Sequence, residues 1–228
     1  MSAPPDVDRG APPTGRYGPP LAVVALCAAV FALLALGLRT GADVLLDVDT
    51  RVSEALYAGD DRPAALTALL EVLTAPGLSA VRYLLAVPVL VWLARRRAWR
   101  TALWVVVAAI SVRHLTSALK EFFGRVRPAF EDGGADYGSL SFPSGHSSGI
   151  ATLVTIGLVL AWPLLAPRAR RIWATAGVLL VLVVGLTRMW LGVHYLSDVL
   201  AGWALGVGWT VLTALLLGVL PFRGRELR

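Results

Sequence analysis

Residues 21–38 form an unbroken run of 18 positions without one charged side chain. Wound as a helix at about 1.5 Å per residue, such a run crosses roughly 30 Å of hydrocarbon. Five further apolar stretches, at about residues 78–94, 101–119, 147–166, 172–187 and 199–220, repeat the pattern. Composition closes off the other classes. At 57% hydrophobic, 16% charged and a mean hydropathy of +0.69, the chain has too little polar surface to cover a water-soluble fold, which is about 25% charged. Disorder is excluded by the apolar content, and a disulfide scaffold by the presence of one cysteine, Cys27, read as a buried thiol. A signal peptide is disfavoured, because Gly37-Leu38-Arg39 is a poor cleavage site.

The expected fold is therefore all-α and polytopic: six transmembrane helices with one short interfacial helix over residues 64–73, a stretch apolar but too short to span. The Pro- and Gly-rich residues 1–20 read as a disordered tail, residues 21–222 as one membrane domain, and residues 223–228 as a second tail. The basic residues are 20 Arg and a single Lys. Twelve of these 21 lie in the two tails and at residues 95–100 and 168–171, which together hold only three acids, Asp6, Asp8 and Glu226. The positive-inside rule puts those segments and both termini in the cytoplasm. Trp92, Trp99, Trp162 and Trp173 flank the Arg clusters as interfacial aromatics do. No basic face is interleaved with exposed aromatics, so nucleic acid is not an expected partner. No internal repeat marks a transporter.

The opposite, extracytoplasmic side gathers three polar patches. Lys120 through Pro128, which reads Lys-Glu-Phe-Phe-Gly-Arg-Val-Arg-Pro, ends the third span and holds the lone lysine. That lysine is either a snorkelling cation or a compact ammonium needed for a purpose. Phe142-Pro143-Ser144-Gly145-His146-Ser147 opens the fourth span. It is either a capped turn or a helix N-terminus that receives an anion. In the third patch His194 and Asp198 lie four apart, on one face if helical, where the carboxylate would fix the imidazole tautomer. The bland alternative is a capping Asp beside an interfacial His. Together the patches supply three cations, two His and one Asp, a set suited to a multiply charged anion such as phosphate. No Cys or carboxylate cluster indicates a metal, and no cofactor is expected. Arg113, inside the third span and seven residues before Lys120, either extends the polar site downward or pairs with an unidentified carboxylate. His114 reads as a hydrogen-bonded core histidine. The acidic loop 131–137 reads as a solvated connection or a lid.

Lys120-x6-Arg127-Pro128, then Pro143-Ser144-Gly145-His146, then Arg188-x5-His194-x3-Asp198 resembles the three-part signature of the type 2 phosphatidic acid phosphatase family. One departure is Thr187, where that family usually has Ser. The resemblance implies a metal-independent membrane lipid phosphatase. It implies that His194 attacks phosphorus to give a phosphohistidine, that Asp198 orients His194, and that His146 protonates the leaving oxygen and then activates water. It further implies that Lys120, Arg127 and Arg188 hold the phosphoryl oxygens, and that Ser144, Gly145 and Thr187 add hydrogen bonds. The implied substrate is a lipid phosphate or diphosphate drawn from the bilayer: polyprenyl diphosphate, phosphatidic acid or phosphatidylglycerol phosphate. An Arg-, Ala- and Leu-rich chain with one Lys looks like a high-GC bacterial protein of the plasma membrane. A lipid phosphotransferase using the same phosphohistidine, or a non-enzymatic lipid or phosphate transporter, are the alternatives. Oligomeric state is not legible.

Overall fold

A computed structural model describes residues 17–130 and 138–220. Most of the two expected tails and the whole acidic loop 131–137 lie outside the described residues. The rest is helical: α1 (Gly18–Thr40), α2 (Asp43–Leu56), α3 (Ala64–Thr74), α4 (Ser79–Arg95), α5 (Trp99–Phe123), α6 (Gly145–Ala161), α7 (Pro167–Trp190) and α8 (Leu196–Leu216). Short 3-10 turns at Ala75–Gly77 and Trp162–Leu164 follow α3 and α6. Five helices, α1, α5, α6 with its 3-10 turn, α7 and α8, are long and apolar enough to cross a membrane, and this is an integral membrane protein. The sixth candidate is a bent helix pair, either a broken span or a re-entrant loop. The helix expected at the interface, α3, meets α4 through the Ala75–Gly77 turn at a bend of 47°.

Three boundaries differ from the expectation. α1 starts at Gly18, inside the stretch expected to be unstructured, because Pro19 and Pro20 sit in its first turn, where proline has no amide bond to lose. Arg168, Arg170 and Arg171 are not in a loop but in the opening turns of α7. There Arg170 Nε donates to the Trp162 carbonyl at 2.8 Å and the guanidinium lies over the Trp162 ring. α2 was not expected as a helix. Its acids made the segment look solvated, yet Asp49 and Ser53 on one face are buried.

The core is the α6–α8 pair. α8 buries residues along its whole length, many of them Gly, Ala, Ser and Thr. A side chain on Gly202 would come within 2.6 Å of the Ser144 carbonyl, and one on Gly206 within 2.4 Å of the Ser148 carbonyl. Small residues let two backbones approach in the membrane, where packing rather than water exclusion drives helix association. α5 joins this pair through Trp104 Nε1, which donates to the Thr210 carbonyl at 3.0 Å, and through Trp209 Nε1, which donates to Ser111 Oγ at 2.7 Å. At the end away from the polar patches Leu93, Trp104, Val105, Ala108, Leu160 and Ala214 pack together. α1 covers α8 with no buried residue of its own. His114, expected in the core, lies on an exposed face of α5.

Two glycines separate these effects. Gly206→Leu is expected to lower stability in detergent by at least about 1–3 kcal/mol, the usual cost of overpacking. Gly157→Ala, on α6 with nothing within 4 Å of the added carbon, is expected to raise it by about 0.5–1 kcal/mol. Melting followed by tryptophan fluorescence measures both signs.

Candidate active site

The three patches converge at the end of the bundle where α5 stops and α6 and α8 start. Gly124, at φ 62°, ends α5, and the chain continues extended. Residues two apart then share a side, so Arg125 and Arg127 both reach the pair formed by His194 and Asp198. His194 Nδ1 lies 3.4 Å from Asp198 Oδ2, and its Nε2 lies 3.3 Å from Arg127 Nη1. An arginine can only donate, so Nε2 accepts and the ring proton sits on Nδ1, facing Asp198. Ser141 supports that tautomer. Its hydroxyl donates to Asp198 Oδ2 at 2.5 Å and lies 3.3 Å from Nδ1. His194 is 2% exposed. Burial pulls its pKa from 6.5 to about 3; Asp198 pulls the other way, and Arg127 and Arg188 add to the depression. At neutral pH the imidazole is uncharged, with its Nε2 lone pair directed at Arg127.

The expected cations stand around this ring. Lys120 Nζ donates to the Leu140 carbonyl and, at 3.1 Å, to the Ser141 carbonyl. Arg127 is fixed by the Ser139 carbonyl at 2.7 Å and the Val193 carbonyl at 2.5 Å. Arg188 is buried near the end of α7 beside Thr74, 3.4 Å away. Ser144 caps α6, with its Oγ accepting from Ser147, and its amide donates to the Asp198 carbonyl at 2.9 Å. The tips of α6 and α8 are thereby tied together. Gly145 and His146 form the first turn of α6, whose free N–H groups and dipole favour an anion. Thr187 departs from its expected role. Its hydroxyl is fully buried and donates back to the Val184 carbonyl at 2.7 Å, so its proton is not offered to the site. Arg113 lines a cavity with Lys120 and His146. Among the described residues, no three His, Cys, Asp or Glu side chains cluster as metal ligands.

Sequence reasoning missed three contributors. Arg125 Nη1 donates to Asp198 Oδ1 at 2.7 Å and Nη2 to Asp49 Oδ2 at 2.7 Å, with its guanidinium 4.0 Å over the Tyr195 ring. Asp49, from α2, accepts from the Ser197 amide at 2.9 Å and the Ser197 hydroxyl at 2.5 Å. Ser141 completes the set. Arg125 and Ser141 sit beside the motifs, and the i, i+2 spacing of Arg125 and Arg127 was a usable signal. Asp49 carries no local signal, because its partners lie 76 and 148 residues away.

The sequence pattern of the PAP2 superfamily matches residues 101–220. Phosphatidylglycerophosphatase B of Bacillus subtilis (strain 168) is 39% identical over 115 residues, 49% of this chain and 55% of that protein. The chain thus spans about half the length of that relative. Lipid A 1-phosphatase of Rhizobium etli is 32% identical over 190 residues, 71% of this chain and 76% of that protein. The crystal structure of the first transmembrane PAP2 type phosphatidylglycerolphosphate phosphatase from Bacillus subtilis superposes with a TM-score of 0.70 at 27% identity, covering 90% of this chain and 98% of that one.

Two outcomes test the buried charges. Asp49→Asn is expected to cost about 1.5–3 kcal/mol, the scale of a hydrogen bond to a charged group. Combined with Arg125→Gln it should cost less than the sum of the two single losses, read from denaturant midpoints in detergent. The second concerns acid. Between pH 6.5 and about 3 the unfolded chain binds a proton at His194 that the native chain does not. Stability therefore rises with pH across that window and is lost on acidification, by at most about 1.4 kcal/mol per unit for this group. His194→Asn is expected to flatten the profile of melting temperature against pH by that share.

Proposed function

The chain belongs to the PAP2 superfamily, and from that membership we propose that it is a membrane lipid phosphate phosphatase whose nucleophile is His194. The observation that carries the reading is the orientation of that ring: Nδ1 toward buried Asp198, Nε2 toward the guanidinium of Arg127. The names of the relatives support lipid phosphates as the substrate class, with phosphatidylglycerol phosphate, polyprenyl diphosphate and phosphatidic acid as the substrates to test.

In the first step Nε2 attacks phosphorus, the bond from phosphorus to the lipid oxygen breaks, and His146 gives its proton to that leaving oxygen. The product is a phosphohistidine, whose positive ring is stabilised by Asp198. In the second step His146 takes a proton from water, the hydroxide attacks phosphorus, and the P–N bond breaks to regenerate His194 and release phosphate. Lys120, Arg127 and Arg188, with the N–H groups of Gly145 and His146, stabilise the charge on the phosphoryl oxygens. Arg125 and Asp49 act through Asp198 and are positioning residues. The unit that does this is the helical domain within residues 21–222. The arginine distribution puts its site on the extracytoplasmic face of the plasma membrane and both termini inside.

Purified protein in detergent, given the three lipids in the presence of EDTA, is expected to release phosphate. His194→Ala should lower the rate at least about 1000-fold and Asp198→Asn about 100-fold or more. Wild type quenched with alkali during turnover should contain an acid-labile, alkali-stable phosphoenzyme that His194→Ala lacks. Phosphate transfer that requires an added acceptor would favour a transferase instead. Absence of any turnover would remove the enzymatic reading.

A further inference from the structure

A cavity of about 470 Å³ opens beside the site, between α4, α5 and the first turn of α6. Lys120 and His146 form its wall on the site side, and Arg82, Arg113, Ser79 and Ser117 line the rest. Among the described residues no carboxylate lines it. Arg82 is 2% exposed, and its partners are neutral: Nε donates to the Ala109 carbonyl at 3.0 Å and Nη2 to Ser79 Oγ at 3.2 Å. Gly149 makes the room for it, since a side chain there would come within 2.5 Å of Arg82 Nη1. Arg113 lies near the middle of α5, exposed, with no hydrogen bond or ion pair among the described residues. A cation at that depth of a membrane span is costly unless it faces a cavity or meets an opposite charge. A buried guanidinium with only neutral acceptors is likewise a charge awaiting compensation.

We infer that this cavity is a subsite for a second phosphate of the lipid, held by Arg113 and Arg82 while the first phosphate sits at His194. The inference rests on the phosphatase reading and narrows its substrate class to lipids with two phosphates. The order of cations along α5 fits the order of charges along such a lipid. In a diphosphate or a glycerol-linked phosphodiester the second phosphate lies between the scissile one and the tails. Arg113 lies seven residues, about 10 Å, from Lys120 toward the bilayer interior. A lipid with a single phosphate leaves the subsite without its charge.

The test compares kcat/KM for phosphatidylglycerol phosphate, a polyprenyl diphosphate and phosphatidic acid in wild type, Arg113→Gln and Arg113→Lys, using the full chain in detergent. The ratio of either two-phosphate lipid to phosphatidic acid is expected to fall about 10- to 100-fold in Arg113→Gln, the size of a lost charge-assisted hydrogen bond, and to recover in part in Arg113→Lys. A fall confined to the glycerol-linked lipid identifies a phosphodiester in the subsite; one confined to the other lipid identifies a diphosphate. An unchanged ratio, or an equal loss on all three lipids, overturns the inference. A second readout does not need turnover. Methylenediphosphonate and 1,3-propylenediphosphonate should raise the wild-type melting temperature more than methylphosphonate does, and Arg113→Gln should erase that preference. If no lipid is hydrolysed but the preference exists and is erased, the phosphatase reading fails and the subsite stands. If wild type shows no preference between one and two phosphonates, the subsite falls whatever the turnover.

Discussion

A carboxylate with no solvent exposure heads α8, and the rest of the site is arranged around its charge. Burying an unpaired Asp198 would cost several kcal/mol. The structure offsets that with Arg125 on one oxygen, and with the Ser141 hydroxyl, the Tyr195 amide and the His194 ring on the other. These partners come from three parts of the chain, so satisfying one charge fixes the end of α5, the approach to α6 and the turn before α8 together. Arg125 cannot be satisfied by Asp198 alone. It takes Asp49 as well, and Asp49 brings α2 across the head of α8, where it also binds the Ser197 amide. The arrangement turns Nδ1 toward Asp198 and Nε2 toward Arg127. Electrostatic satisfaction and chemical orientation are one event here.

That constraint needs a rigid frame, and the α6–α8 contact provides it. The Ser144 amide donates to the Asp198 carbonyl, while Gly202 and Gly206 hold the two backbones at a separation no larger residue permits. Two helix N-termini then lie side by side. One is occupied by the carboxylates of Asp49 and Asp198. The other begins at Gly145 and His146 and is capped by the Ser144 side chain. On the far side Tyr57 stacks on Phe130 at 3.8 Å, and the lack of a side chain on Gly192, at φ 68°, leaves room for the Tyr57 ring. The short turn carrying His194 is thereby gripped from outside.

Much of this was legible in the sequence because its signals are local. Long apolar runs mark the spans, and Lys120, Arg127, His146, Arg188, His194 and Asp198 fall in three short patches at span ends. What was not legible depends on partners far apart in the chain. Asp49 looked like one acid among several in a polar stretch, and only the folded path shows that it faces Arg125. Thr187 looked like a phosphate ligand because hydroxyl identity was all that could be read. Its rotamer, turned onto the Val184 carbonyl, depends on burial inside α7. The bend between α3 and α4 hid for a similar reason, since an 11-residue apolar helix has the same sequence character lying in an interface or forming half of a broken span.

The site holds two charge populations with different partners. The carboxylates are committed: Asp198 and Asp49 share Arg125 and the amides of α8. Lys120 is held on carbonyl oxygens, which fix its position without cancelling its charge. Direct pairing between Lys120 and Asp198 would neutralise both, yet Arg125 already occupies the carboxylate in an 8% exposed position where its planar fork serves two acids at once. Arg125 therefore acts as a spacer in charge as well as in geometry. It contacts both buried acids and offsets one of their two charges. In a low-dielectric surround the field of such fixed charges is strong and little screened.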